Sequence, residues 1–127
     1  MKSFRDLVVW QKAHQLVVTL YARTGEFPSD ERFGLTSQIR RSSSSVPANI
    51  AEGCGRRGDS EFHRFPQMDM GSASELEYQL LLAHDLKYLS SAEYESLSRS
   101  LIEVKRMLVS LIYKVDEERQ RARGAGA

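Results

Sequence analysis

Apolar positions recur along this chain with the period of an α-helix almost from end to end. Leu7, Trp10, His14, Val17 and Tyr21 are spaced by threes and fours, and a second stripe, Val9, Ala13, Leu16 and Leu20, runs beside them. Both belong to a helix expected over about 5–23. Gly25 to Ser29 interrupts the pattern, with Pro28 setting a turn. Ser29 caps the next helix, and Asp30 and Glu31 suit its positive end. That helix is expected over about 30–52, on Leu35, Ile39, Val46, Ile50 and Ala51, with serines between them. Pro47 lacks an amide hydrogen and predicts a kink, and Gly53 predicts the helix stop.

Asp59 is the expected cap of a third helix, about 59–86, carried by Phe62, Phe65, Ala73, Leu76, Leu80 and Ala83. Pro66 is expected to bend its start. The small residues Gly71, Ser72, Ala73 and Ser74 cost helix propensity. They predict a neighbour packed close, at Ser42 to Ser45 or at Ala48. Ser90 and Glu93 form a capping box. The fourth helix, about 91–121, then places Leu97, Leu101, Val104, Leu108, Leu111 and Val115 on a strict heptad seam. The tail from Glu117 is expected to fray. Strand signals are absent. Four helices on short connections predict an all-α fold, an antiparallel up-down-up-down four-helix bundle in one domain spanning 1–127. Helix four carries a second apolar face, Ile102, Val109, Ile112 and Tyr113, as helix one does. One bundle core needs only one face per helix, so the surplus predicts a homo-oligomer.

Composition narrows the partners. No apolar run approaches the ~20 residues that cross a bilayer, and MKSFRDLVVWQK has no apolar segment leading to a small-residue cleavage site. No membrane role and no signal peptide are expected. Cys54 is the single cysteine, which excludes an internal disulfide and fits a reducing cytoplasm. The net charge of +1 is unevenly spread. Arg32 to Arg57 holds five arginines and one acid, whereas Asp59 to Asp85 holds six acids and one arginine. This asymmetry reads either as complementarity between neighbouring helices or as a basic surface for a polyanion.

Catalytic signals are weak. Glu75 and Glu77 are two apart on a helix and point in different directions. His63 and His84 are too far apart on one helix to share a metal, and no acidic or cysteine set completes a site. Gly53 and Gly55 follow no strand and precede no Lys-Ser/Thr pair, so they are not a phosphate loop. Cys54 has no activating base nearby in sequence. No enzyme activity, cofactor or metal is expected.

The segment QIRRSSSSVPANIAEG resembles the 23S rRNA intervening-sequence protein family, and the resemblance continues through EFHRF, GSASELEYQLLLAHDLKYL and FRDLVVWQKAHQLV. It spans about 4–112. It implies a small cytoplasmic four-helix bundle, commonly a ring-like pentamer. It also implies kinship with the accessory protein of diversity-generating retroelements, a basic pentameric barrel that associates with nucleic acid and a reverse transcriptase. The family pattern further implies a structural polar cluster in which Asn49 and Glu52 meet Arg40 or Arg41 and a third-helix glutamate, Glu75. Glu52 is expected to be at least half-buried there. Ser42 to Ser45 stand where the family usually has alanines, and Pro66 where an apolar helix former is usual.

Two non-enzymatic functions follow. One is a homo-oligomeric scaffold, most simply a pentamer, that binds RNA or DNA weakly and non-specifically through Arg40, Arg41, Arg56 and Arg57, with Arg119, Arg121 and Arg123 as further cations. The other is a protein-interaction scaffold with no nucleic-acid role. Aromatics interleaved with these arginines for base stacking are lacking in the sequence.

Overall fold

Each stretch of helical periodicity becomes one helix. The computed structural model describes residues 3–55 and 65–126, and every regular element among them is helical. A 3-10 turn, Phe4–Asp6, leads into α1 (Val8–Thr24); a second, Ser29–Glu31, precedes α2 (Leu35–Gly55); α3 (Phe65–Asp85) and α4 (Ser91–Gly126) complete the chain. Contacts run α1 to α2, α2 to α3, α3 to α4 and α4 back to α1. The fold is therefore an antiparallel up-down-up-down four-helix bundle. Its core is formed chiefly by Leu16 and Leu20 of α1, Ile39 and Ile50 of α2, Leu76 and Leu80 of α3, and Leu101 and Leu108 of α4.

Of the two stripes on α1, the second is the core stripe: Val9, Ala13, Leu16 and Leu20 are buried. The first lies on the flank, with Trp10 and Val17 half-buried and His14 and Tyr21 exposed. On α4 the seam is buried at Leu97, Leu101, Val104 and Leu108. The capping box forms as expected: the Glu93 amide donates to Ser90 Oγ at 3.1 Å, and the Ser90 amide donates to Glu93 Oε1 at 2.9 Å.

Several boundaries differ from the sequence reading. α2 begins at Leu35 rather than near residue 30, because Ser29–Glu31 closes only a 3-10 turn. Glu31, not Ser29, serves the start of α2: its Oε1 accepts from the Leu35 amide at 3.2 Å, while its Oε2 accepts from the Tyr88 hydroxyl at 2.9 Å. One carboxylate thus ties the α1–α2 connection to the α3–α4 connection. Gly34 fits beside it because a Cβ there would stand 2.7 Å from Glu31 Oε1. At the other end, α2 stays helical through Pro47 and past Gly53, which is buried inside the helix and is not its cap. The cap expected at Asp59 lies outside the described residues. Pro66 falls in the first turn of α3, where a missing amide costs no helical bond.

α4 continues to Gly126, beyond the frayed tail expected from Glu117. Good helix formers fill that stretch, and Arg121 pairs with Glu117 one turn back at 2.6 Å.

Candidate functional site

α2 carries most of the sequence's functional candidates, and its packing against α1 and α3 sorts them. Arg40 and Arg41 are adjacent in sequence, about 100° apart on the helix, and so meet different surroundings. Arg40 is half-buried against the last turn of α1. Its Nε donates to Thr24 Oγ1 at 2.9 Å, its Nη2 donates to the Tyr21 carbonyl at 3.1 Å, and its guanidinium lies 4.6 Å from the Tyr21 ring centre. A cation on a carbonyl at a helix C-terminus also answers the negative end of that helix. Arg40 is therefore a bracket between α1 and α2, with its guanidinium engaged on the last turn of α1. Arg41 is exposed. Arg56 and Arg57 lie outside the described residues. Arg121 is committed to Glu117, and Arg123 is exposed.

The polar cluster takes a different form from the one expected. Asn49 donates through Nδ2 to Asp69 Oδ1 at 3.0 Å, not to a glutamate. Glu75 is exposed and accepts from Gln79 Nε2 at 3.2 Å, and Gln79 Oε1 in turn accepts from Ser42 Oγ. Glu52 is exposed, on a flank of α2 away from the core, rather than half-buried. Two polar contacts, Ser42 to Gln79 and Asn49 to Asp69, thus join α2 to α3 at successive levels. Asp69 went unnoticed in the sequence, although it keeps step with Ala73, Leu76, Leu80 and Ala83 on the core seam. That register was its available signal.

Two of the histidines lie in ring stacks. His14 stacks on Trp10 with ring centres 4.9 Å apart, and Trp10 meets Phe4 at 5.0 Å. His84 stacks on Tyr94 at 4.7 Å. Its Nε2 is 3.3 Å from Ser91 Oγ and its Nδ1 is 3.5 Å from Asp85 Oδ1. The second distance is too long for a hydrogen bond, so Asp85 does not orient the ring as a catalytic triad requires. Cys54 is half-buried, and burial pushes its thiol above the ordinary value, the opposite of activation. Among the described residues, no group of three or more potential ligands could hold a metal ion.

Ion pairs knit α4 to both of its neighbours: Lys12 to Glu103 at 3.1 Å and Arg23 to Glu93 at 3.0 Å on the α1 side, Lys105 to Glu77 at 2.9 Å on the α3 side. Among the described residues, two apolar surfaces lie on the flanks of the bundle. One lies along the α1 edge that faces α2, where Tyr21 is 44% exposed beside Arg40, with His14, Trp10 and Val17 along the same stripe. The other is a groove of about 470 Å³ between α3 and α4, lined by Met70, Ile102, Val109, Lys105, Glu77 and Arg106. Tyr113, 73% exposed, continues the apolar face of α4. No helix among the described residues is long and apolar enough to cross a membrane.

Comparison with known proteins agrees with the fold. No curated protein matches the chain. A solved structure described as a protein with unknown function from the S23 ribosomal protein family of Bacteroides thetaiotaomicron is similar at 27% identity and a TM-score of 0.77, over 84% of this chain and 96% of that chain. The family model described as the 23S rRNA-intervening sequence protein matches residues 5–110. With that match running from α1 into α4 and covering most of the chain, the chain belongs to the 23S rRNA-intervening sequence protein family.

Proposed function

We propose that this protein is a non-catalytic helical scaffold that assembles with copies of itself. The observation that carries the reading is the pair of apolar surfaces on opposite edges of the bundle. The Trp10, His14, Val17 and Tyr21 stripe lies on the α1 edge toward α2, while Ile102, Val109 and Tyr113 rim the α3–α4 groove. A two-fold dimer needs one self-complementary patch. Two different patches on opposite edges suit a head-to-tail contact, which closes into a ring when the rotation per subunit allows. A pentamer is the expected closure.

Polyanion binding is a weaker part of the same proposal. With Arg40 engaged on α1, each subunit offers Arg41 and the sequence neighbours Arg56 and Arg57, set against an acidic third helix. Repetition around a ring multiplies these few cations, so RNA or DNA binding is expected to be non-specific and to fall steeply as salt rises.

Light scattering at micromolar concentration tests the assembly. Val109→Glu, in the α3–α4 groove, and Val18→Glu, one turn from both His14 and Tyr21 on α1, change positions that are 39% and 51% exposed, so both variants are expected to stay folded. Val109→Glu is expected to yield monomers; a wild type already monomeric at micromolar concentration refutes the scaffold reading. Charge reversal at Arg41, Arg56 and Arg57 is expected to abolish low-salt RNA binding and leave assembly intact. An intact oligomer with no RNA binding at low salt refutes that arm, and the protein-interaction scaffold then stands.

A further inference from the structure

Asp69 occupies the second turn of α3 with its side chain wholly out of water, at 0% exposure. A carboxylate in such a place is normally paired with a cation or held by several donors. Here, among the described residues, Oδ1 receives one hydrogen bond, from Asn49, and Oδ2 is buried with no hydrogen-bond partner. The core cluster around which the four helices pack is apolar.

Among the described residues, the nearest charged groups on the neighbouring helices are exposed or have other partners. On α2, Asn49 is neutral and Glu52 is exposed; on α3, Glu75 is exposed and bonded to Gln79. On α4, Glu103 is turned to Lys12 of α1 and Lys105 to Glu77 of α3; on α1, His14 is exposed and stacked on Trp10. The ionised form therefore gains one neutral donor and loses its hydration.

We propose that Asp69 is a pH-operated latch between α2 and α3: protonated, it lets the C-terminal half of α2 close on the start of α3, and ionised, it drives that end of the helix pair apart to reach water. The Ser42–Gln79 contact lies at the other end of the same pair and does not titrate in this range. Burial pushes the Asp69 carboxyl from its ordinary value of 3.8 up to about 7, against the opposing effect of the Asn49 bond. A raised carboxyl pKa stabilises the fold fully below the unfolded value, and the contribution is lost as pH rises to the folded value. The latch therefore releases across neutral pH.

Denaturant unfolding of the wild type and Asp69→Asn, at one protein concentration from pH 5 to pH 8, measures the effect. Relative to Asp69→Asn, the wild-type unfolding constant is expected to rise roughly 50- to 100-fold across that window. Parallel pH profiles for the two proteins overturn the proposal. Should Asp69→Asn not fold, the carboxyl carbon of Asp69 in the wild type decides by NMR titration: a midpoint above about 6 supports the latch, and one near 4 overturns it. Hydrogen exchange at pH 8, corrected for intrinsic rates, locates the opening. Faster exchange in 46–55 and 66–72 than in 36–42 and 76–83 supports it, and a uniform rise through all four segments overturns it.

Discussion

Lys87 is the one non-glycine among the described residues with a positive φ, at 67°. It ends α3 in a Schellman arrangement: the Tyr88 amide donates to the Ala83 carbonyl and the Lys87 amide to the His84 carbonyl, each at 2.9 Å. A side chain in this left-handed conformation costs energy that glycine avoids, so Lys87→Gly is expected to stabilise the protein by about 0.5–1 kcal/mol. Gly71 is the reverse case. It is exposed in mid-helix, and a Cβ added there meets nothing within 4 Å. Of the small residues around it, Ala73 is the buried one. Gly71→Ala is therefore expected to raise stability by about 0.5–1 kcal/mol, read as an increased melting temperature. Arg40→Ala, by contrast, removes two hydrogen bonds and a ring contact and is expected to cost about 1–3 kcal/mol while leaving any polyanion affinity unchanged.

Among the elements, α4 holds the most regular pattern and α2 the most exceptions. The α4 seam is buried where the heptad places it, at Leu97, Leu101, Val104 and Leu108. Leu101→Ala and Leu108→Ala should each cost about 2–5 kcal/mol in denaturant unfolding, and a cost well under 1 kcal/mol at both would disprove their core role. α2 contains a proline, two glycines and four consecutive serines, yet it is helical for 21 residues. Packing on two sides outweighs local propensity there. Its serines also supply what alanines could not: Ser42 is buried and reaches Gln79 of α3, while Ser43, Ser44 and Ser45 bond back to carbonyls of their own helix.

At the scale of the whole molecule, the question is how the surfaces left by the core are used. Lys12–Glu103 and Arg23–Glu93 occupy the α1–α4 seam, so that edge is polar and ion-paired. The opposite flank of α1 and the α3–α4 groove keep the apolar side chains. If these two surfaces meet between copies, Val18→Glu and Val109→Glu should disperse the oligomer independently, and mixing the two variants should not restore a closed ring. Size-exclusion chromatography coupled to light scattering checks this directly.

Much of the fold was legible in the sequence because helical periodicity is a local property: four stripes, their order and the Ser90 cap follow from spacing alone. The family was legible from an ordered set of short segments. The site was legible only in part. Arg40 and Arg41 look alike in sequence, but one helical step sends Arg40 onto α1 and leaves Arg41 in water. Asn49 is expected from the family pattern to meet Glu75 but donates to Asp69, because Asp69, not Glu75, falls on the face that α3 turns to α2. The same reason explains why Glu52 is exposed and Gly53 buried. Which stripe of α1 enters the core, which apolar faces remain outside, and where a single acid is sealed from water depend on how helices are rotated against one another. Only tertiary packing decides that rotation, because it is set by the summed burial of all four helices and not by any one of them.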